Sequence, residues 1–139
     1  MKQKITNNEN ETYIFGEEYA KSLAKGSVIG LIGNLGAGKT KFAQGLAKGL
    51  GIKRIVNSPT FVIMKVYPIK KEKLKNFVHI DTYRIKNEQD IASIGAEEYF
   101  NREDSIVLIE WADKIKKMLP KKSRFLKFTI INNKRKIEY

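Results

Sequence analysis

Apolar and polar positions along the chain follow two rhythms, and the switches between them mark the elements. From Tyr13 to Ala24, Phe15, Tyr19 and Leu23 form one stripe with Glu17, Glu18 and Lys21 outside it, which predicts a helix. Ser27 to Ile32 is a continuous apolar run with the character of a buried strand. After a glycine-rich stretch, Phe42, Ala43, Leu46, Ala47 and Leu50 recur at helical spacing, closed by Gly49 and Gly51. Asn57-Ser58-Pro59-Thr60 reads as a turn leading into a strand over Phe61 to Tyr67. Pro68 and the lysines up to Lys75 predict a solvated connection, and Phe77 to Asp81 a second strand, antiparallel to the first. Glu88 to Phe100 predicts a helix broken at Gly95. Ser105 to Ile109 has the unbroken apolar character of a strand covered on both faces. A short basic helix runs to Leu119, and Arg124–Ile131 and Arg135–Tyr139 predict two last strands around Asn132-Asn133-Lys134. This order predicts an α/β three-layer fold with a mixed, partly parallel sheet and an antiparallel hairpin, in one domain over residues 1–139.

The glycine-rich stretch carries the chemistry. Gly33-Asn34-Leu35-Gly36-Ala37-Gly38-Lys39-Thr40 is a glycine, four residues, then Gly-Lys-Thr, the P-loop pattern. Its glycines let successive backbone N–H groups curl inward around a phosphate. Lys39 brings a point charge to the β/γ-phosphates, and the Thr40 hydroxyl suits Mg²⁺. A strand before the loop and a helix after it put the anion at a helix N-terminus, where the dipole and free N–H groups favour negative charge. ATP and Mg²⁺ are the expected cofactors.

Composition narrows the remaining chemistry. The chain has no cysteine and one histidine, His79, which excludes disulfides and thiolate metal sites and argues against a histidine zinc cluster. The polar N-terminus lacks a signal-peptide pattern, and no apolar run approaches the ~20 residues of a membrane span, so a soluble cytoplasmic protein with no membrane partner is expected. The net charge of +12 is concentrated in two regions: Lys65 to Lys75, and ten Lys/Arg residues between Lys114 and Tyr139. Such charge suits RNA or an acidic protein surface, but it is mostly lysine and lacks the aromatic–basic interleaving of an RNA-binding module.

A P-loop requires acidic partners, usually at the C-terminal ends of buried strands. Glu110 and Asp81 stand at two such ends, suited to hold the metal directly or through water, or to orient the attacking water. Ser58 and Thr60 follow the P-loop helix, where nucleotide switches carry sensing hydroxyls, although a Ser-Pro-Thr turn is also ordinary loop chemistry. Trp111, the single tryptophan, adjoins Glu110 and is expected near the nucleotide or at a docking surface. His79 alternates onto the face of Asp81, with a partly buried structural role expected. Arg84 suits either a phosphate or a carboxylate.

Gly33 to Thr40, Ser58-Pro59-Thr60-Phe61, His79-Ile80-Asp81-Thr82-Tyr83-Arg84, Gly95 to Phe100 and Ile109-Glu110-Trp111 occur in one order and at characteristic spacing. From about Glu9 to Arg135 the chain resembles the TsaE (YjeE) family, bacterial ATPases of threonylcarbamoyladenosine synthesis on tRNA. The resemblance implies that Leu35, Gly36, Ala37, Gly38, Lys39 and Thr40 wrap the phosphates. It further implies that Thr40 and Glu110 serve Mg²⁺ and that Asp81 is the second acid of the site. Lys39, Asp81 and Glu110 are then the catalytic set. Ser58 and Thr60 would form a switch-like loop, with Trp111 beside the site. Glu9 to Thr12 and Lys134-Arg135 would approach the base. The implied partners are TsaD and TsaB, with tRNA met indirectly through them; they carry out the threonylcarbamoyl transfer and stimulate a slow ATPase. Two positions depart from the family pattern: Asn34 where an acid is usual, and Ala112-Asp113 where Pro-Glu is usual.

Two other readings remain open on the residues alone. A small-molecule P-loop kinase shares the loop pattern but needs a lid, for which only residues 69–76 are available. A nucleotide-regulated RNA-binding protein rests on charge.

Overall fold

A seven-stranded sheet runs through the molecule in the order β1-β7-β6-β2-β5-β4-β3. The computed structural model describes residues 1–59 and 63–139. The strands are β1 (Gln3–Thr6), β2 (Val28–Gly33), β3 (Met64–Lys71), β4 (Leu74–Asp81), β5 (Ser105–Glu110), β6 (Arg124–Ile131) and β7 (Lys134–Glu138). The middle of the sheet is parallel, with β2 between β6 and β5, and β5 paired in turn to β4. Its margins are antiparallel, β3 against β4 on one side and β6, β7 and β1 on the other.

Two apolar cores lie on opposite faces. Ile29, Leu31, Phe77, Ile106, Leu108, Leu126 and Phe128 face helices α1 (Glu9–Ala20) and α2 (Lys39–Gly49), meeting Phe15, Tyr19, Phe42 and Leu46. The alternate residues Val28, Val78, Ile80, Val107 and Ile109 face α3 (Gln89–Ser93), α4 (Glu97–Phe100) and the 3-10 segment Ala112–Met118, meeting Ile91, Phe100 and Ile115. The central strands are therefore covered on both sides, and every residue of β5 is buried. This is the expected three-layer α/β arrangement with a mixed sheet.

Three expectations need correction. Helix α1 begins at Glu9, not Tyr13, because Asn8 caps it: Asn8 Oδ1 accepts from the Glu11 N–H at 2.9 Å, and the Glu11 carboxylate accepts from the Asn7 N–H at 2.7 Å. It ends at Ala20 rather than Ala24, where Lys21 N–H turns back to the Glu18 carbonyl. The lysine-rich stretch after Pro68 is not a loop but strand, turning only at Glu72-Lys73. Tyr67 and Ile69 are buried there while Pro68 and Lys70 are exposed, the alternation of a one-sided strand. Pro68 is tolerated because β3 is at the sheet edge. Residues 69–76 thus belong to a hairpin and form no lid. β1 was not expected at all; Thr6 is its one buried residue. The predicted break at Gly95 separates α3 from α4. Of the strand expected over Phe61 to Tyr67, Phe61 and Val62 lie outside the described residues.

The two helices over the first face cross at very short range. A Cβ on Gly45 would fall 1.9 Å from the Tyr13 carbonyl oxygen, and one on Gly16 2.3 Å from that of Phe42. Two facing glycines let α1 rest directly on α2, which brings the start of α1 over the loop that precedes α2.

Candidate functional site

Parallel pairing aligns the strand ends that carry the acids. Leu31 of β2 and Asp81 of β4 are both Cα partners of Glu110 in β5. The three C-terminal ends therefore lie side by side, and the chain leaving β2 passes directly in front of Asp81 and Glu110. That chain is the glycine loop. Gly36 and Gly38 have φ of +80° and +101°, Gly38 forms the N-cap of α2 without a side-chain cap, and the Ala37 N–H donates back to the Asn34 carbonyl at 3.1 Å. A Cβ on Gly38 would meet Thr12 Cγ2 at 3.4 Å and Arg135 Cγ at 3.8 Å, so glycine here also admits the neighbouring segments.

A cavity of about 360 Å³ opens at this point. It is lined by Leu35, Gly36, Gly38, Lys39 and Thr40 from the loop, Asp81 and Glu110 from the strand ends, Glu9 and Thr12 from α1, and Ser58, Trp111 and Arg135. Twelve of the predicted site residues thus meet in one place. Ala37 is buried behind the loop and lines a neighbouring depression instead. Lys134 is exposed at the start of β7 and is absent from the lining. Thr60 lies outside the described residues. Tyr83 and Lys41 also line the cavity and were not expected there. Tyr83 follows Asp81 by two residues just beyond the strand, so its direction depended on a turn that periodicity does not reveal.

Each polar group has a defined partner. Thr40 Oγ1 donates to Glu110 Oε1 at 3.0 Å, and the other Glu110 oxygen, Oε2, lies 2.6 Å from His79 Nε2. His79 is fully buried rather than partly so, and it touches the site acid directly. Asp81 accepts from Ser58 Oγ at 2.6 Å through Oδ2 and from the Tyr83 N–H at 2.8 Å through Oδ1. Lys39 Nζ donates to the carbonyls of Gly33 (2.5 Å) and Asn34 (2.9 Å) and stands 4.1 Å from the centre of the Trp111 ring. Burial lowers the Lys39 pKa from its ordinary 10.5, while the nearby carboxylates of Glu110, Asp81 and Asp113 pull it upward.

Trp111 owes its position to a latch. It adopts a left-handed conformation, φ +61° and ψ +40°, uncommon for a bulky residue. Thr82 holds it: the hydroxyl donates to the Trp111 carbonyl at 2.6 Å, and both the hydroxyl and the N–H reach the Glu110 carbonyl at 3.1 Å. Trp111 then faces Lys39 on one side and the Tyr83 ring, 5.0 Å away, on the other.

The donor set fits a magnesium–nucleotide complex. Thr40, Glu110 and Asp81 supply only hard oxygen atoms. Adjacent ligands of an octahedral Mg²⁺ with bonds of about 2.1 Å are separated by about 3 Å, and Thr40 Oγ1 and Glu110 Oε1 are 3.0 Å apart. Among the described residues no cluster of three or more His, Cys, Asp or Glu side chains forms a self-sufficient metal cage. Arg135 is the one arginine lining the cavity among the described residues, and its Nη1 donates to the Asn133 carbonyl at 3.4 Å.

Fold and site together define an α/β protein with a P-loop-type glycine loop between a central parallel strand and its helix, faced by two strand-end acids. The family model described as "Threonylcarbamoyl adenosine biosynthesis protein TsaE" matches residues 6–137. The chain belongs to the TsaE family. A relative in Bacillus subtilis (strain 168), named tRNA threonylcarbamoyladenosine biosynthesis protein TsaE, is 43% identical over 115 residues, covering 83% of this chain and 69% of that protein. The same name is carried by a relative in Borreliella burgdorferi, 35% identical over 131 residues and covering 94% and 93%. The crystal structure of Bacillus subtilis YdiB superposes with a TM-score of 0.79 at 34% identity, covering 98% of this chain and 82% of that one.

Proposed function

We propose that this chain is a P-loop ATPase that binds ATP with Mg²⁺, hydrolyses it slowly, and serves tRNA threonylcarbamoyladenosine formation in the cytoplasm. The observation that carries the reading is the register of Glu110 with both Leu31 and Asp81, which sets two carboxylates against the glycine loop and Lys39. The names of the relatives support the pathway.

In this reading the backbone N–H groups of Gly36, Gly38, Lys39 and Thr40 donate to phosphate oxygens, the Ala37 N–H being taken by the Asn34 carbonyl, and Lys39 supplies compensating charge. A Mg²⁺ ion held beside Thr40 and Glu110 would supply further neutralisation of phosphate charge. Thr40 and Glu110 hold the ion, directly or through water. Asp81, fixed by Ser58 and the Tyr83 N–H, orients the attacking water. Trp111, Tyr83, Glu9, Thr12 and Arg135 flank the nucleotide. Arg135, the one arginine lining the cavity among the described residues, donates to the Asn133 carbonyl of its own turn, and a slow turnover is proposed for the chain alone. The TsaD–TsaB pair carries out the threonylcarbamoyl transfer, which this chain does not, and raises the ATPase rate by closing over the site. No helix among the described residues is long and apolar enough to cross a membrane.

The test is ATP hydrolysis by the purified chain, alone and with TsaD–TsaB, with Lys39→Ala and Glu110→Ala as controls. Low turnover that rises with the pair and disappears in both variants is expected. Turnover indifferent to the pair would remove the partner-activated role.

A further inference from the structure

His79 is the one histidine of the chain, has no exposed surface, and sits inside β4. In the parallel ladder it pairs with Leu108, so Glu110 is its diagonal neighbour on the same sheet face, two residues further along β5. Its Nε2 reaches Glu110 Oε2 at 2.6 Å. For a Glu110 that serves a metal as an ionised carboxylate, which accepts only, this contact places the hydrogen on Nε2. Among the described residues Nδ1 has no hydrogen-bond partner. The ring is thus committed to one polar contact, and that contact is with the acid that also accepts from Thr40.

Glu110 is held at two points, one oxygen each. Thr40 sets Oε1 toward the cavity, and His79 ties Oε2 behind it. Without the rear tie the carboxylate could rotate about its last torsion, which has broad minima for a terminal sp³–sp² bond. Thr40 Oγ1 would then share whichever oxygen happened to face it. An apolar side chain of similar volume could fill the space of the imidazole, but it would leave Oε2 in a buried pocket without this donor.

We propose that His79 is a positioning residue for Mg²⁺ binding: its Nε2–H fixes the rotation of the Glu110 carboxylate so that Oε1 is kept beside Thr40. The inference rests on the reading of Glu110 as a metal-serving acid. Its logic is that of partners behind a metal ligand, whose loss typically lowers metal affinity by about 10- to 100-fold.

Two measurements test it. Since the chain has a single histidine, imidazole ¹⁵N spectra of the unmodified protein report one ring without assignment. A hydrogen on Nε2 is expected, and a ring lacking it would overturn the proposal. Separately, Mg²⁺ is titrated into the ADP-bound protein, followed by the fluorescence of Trp111, the single tryptophan beside Glu110. His79→Leu should raise the Mg²⁺ midpoint about tenfold or more, toward that of Glu110→Ala. His79→Gln, which retains an N–H donor, should recover most of the loss. A folded His79→Leu protein with the unmodified midpoint would overturn the positioning role while Glu110→Ala still shifts it. An unshifted Glu110→Ala protein would overturn the reading of Glu110, and this proposal with it. Should His79→Leu fail to fold, His79→Met takes its place: a raised midpoint supports the proposal and an unmodified one overturns it.

Discussion

Asp81 and Glu110 are register partners at the C-terminal ends of neighbouring parallel strands, yet their carboxylates are restrained by separate groups. Ser58 and the Tyr83 N–H hold Asp81, while Thr40 and His79 hold Glu110. Side-by-side acids with different partners can take different roles, one toward the metal and one toward water.

Asp81→Asn removes the charge while retaining an oxygen and the side-chain shape. If Asp81 orients the attacking water, the hydrolysis rate should fall about a hundredfold with ADP affinity little changed. Parallel measurement of turnover and nucleotide binding checks this. Equal losses in both would assign Asp81 to binding.

Gly45→Ala should destabilise the fold and, by pushing α1 off α2, displace Glu9 and Thr12 at the edge of the cavity. The new methyl would lie 1.9 Å from the Tyr13 carbonyl oxygen, which is backbone and has no rotamer by which to yield. Overpacking of this kind costs about 1–3 kcal/mol, occasionally more. Denaturant unfolding should show the lowered midpoint, whereas Gly36→Ala, with nothing within 4 Å of its added carbon, should be limited to backbone strain at φ +80°.

What was legible from sequence follows from how many neighbours each residue answers to. Ser105 to Ile109 is covered on both faces, so its unbroken apolar run announced a central strand, and Glu110 marked that strand's C-terminal end, which faces the cavity. Gly33 to Thr40 was legible because its chemistry is local. β1 was not, because Gln3, Lys4 and Ile5 are exposed and only Thr6 is buried, leaving no periodicity to read. β3 was hidden in part by its position: an edge strand tolerates Pro68 and carries lysines outward, so half of its pattern looks like a loop. The contact of His79 with Glu110 depends on the β4–β5 register, a fact of pairing between segments 31 residues apart.

Thr82→Val should release Trp111. Valine retains the shape but loses the hydroxyl that donates to the Trp111 and Glu110 carbonyls. A lost hydrogen bond of this kind costs about 1 kcal/mol, rising to about 3 if a buried carbonyl is left unsatisfied. A left-handed tryptophan has its own strain to release. The expected outcome is modest destabilisation in thermal unfolding, together with a red-shifted Trp111 emission as the ring leaves Lys39. Unchanged emission would show that the strand end, not Thr82, holds the ring.

Nucleotide binding should be linked to proton uptake through Lys39. Burial lowers its pKa below 10.5 in the folded chain, with the carboxylates of Glu110, Asp81 and Asp113 opposing that shift. The folded state therefore loses this proton before the unfolded state does. The charging penalty is fully present below the lowered pKa and is relieved as pH rises through it toward 10.5. A triphosphate beside the amine favours the charged form and raises the pKa again. ATP binding should then take up protons, and affinity should fall as pH climbs through the lowered pKa. Calorimetry in buffers of different ionisation enthalpy measures the uptake directly. Lys39→Arg supplies the comparison, because a guanidinium stays charged throughout and contributes no uptake of its own. Equal uptake by both proteins would assign the proton to another group of the site.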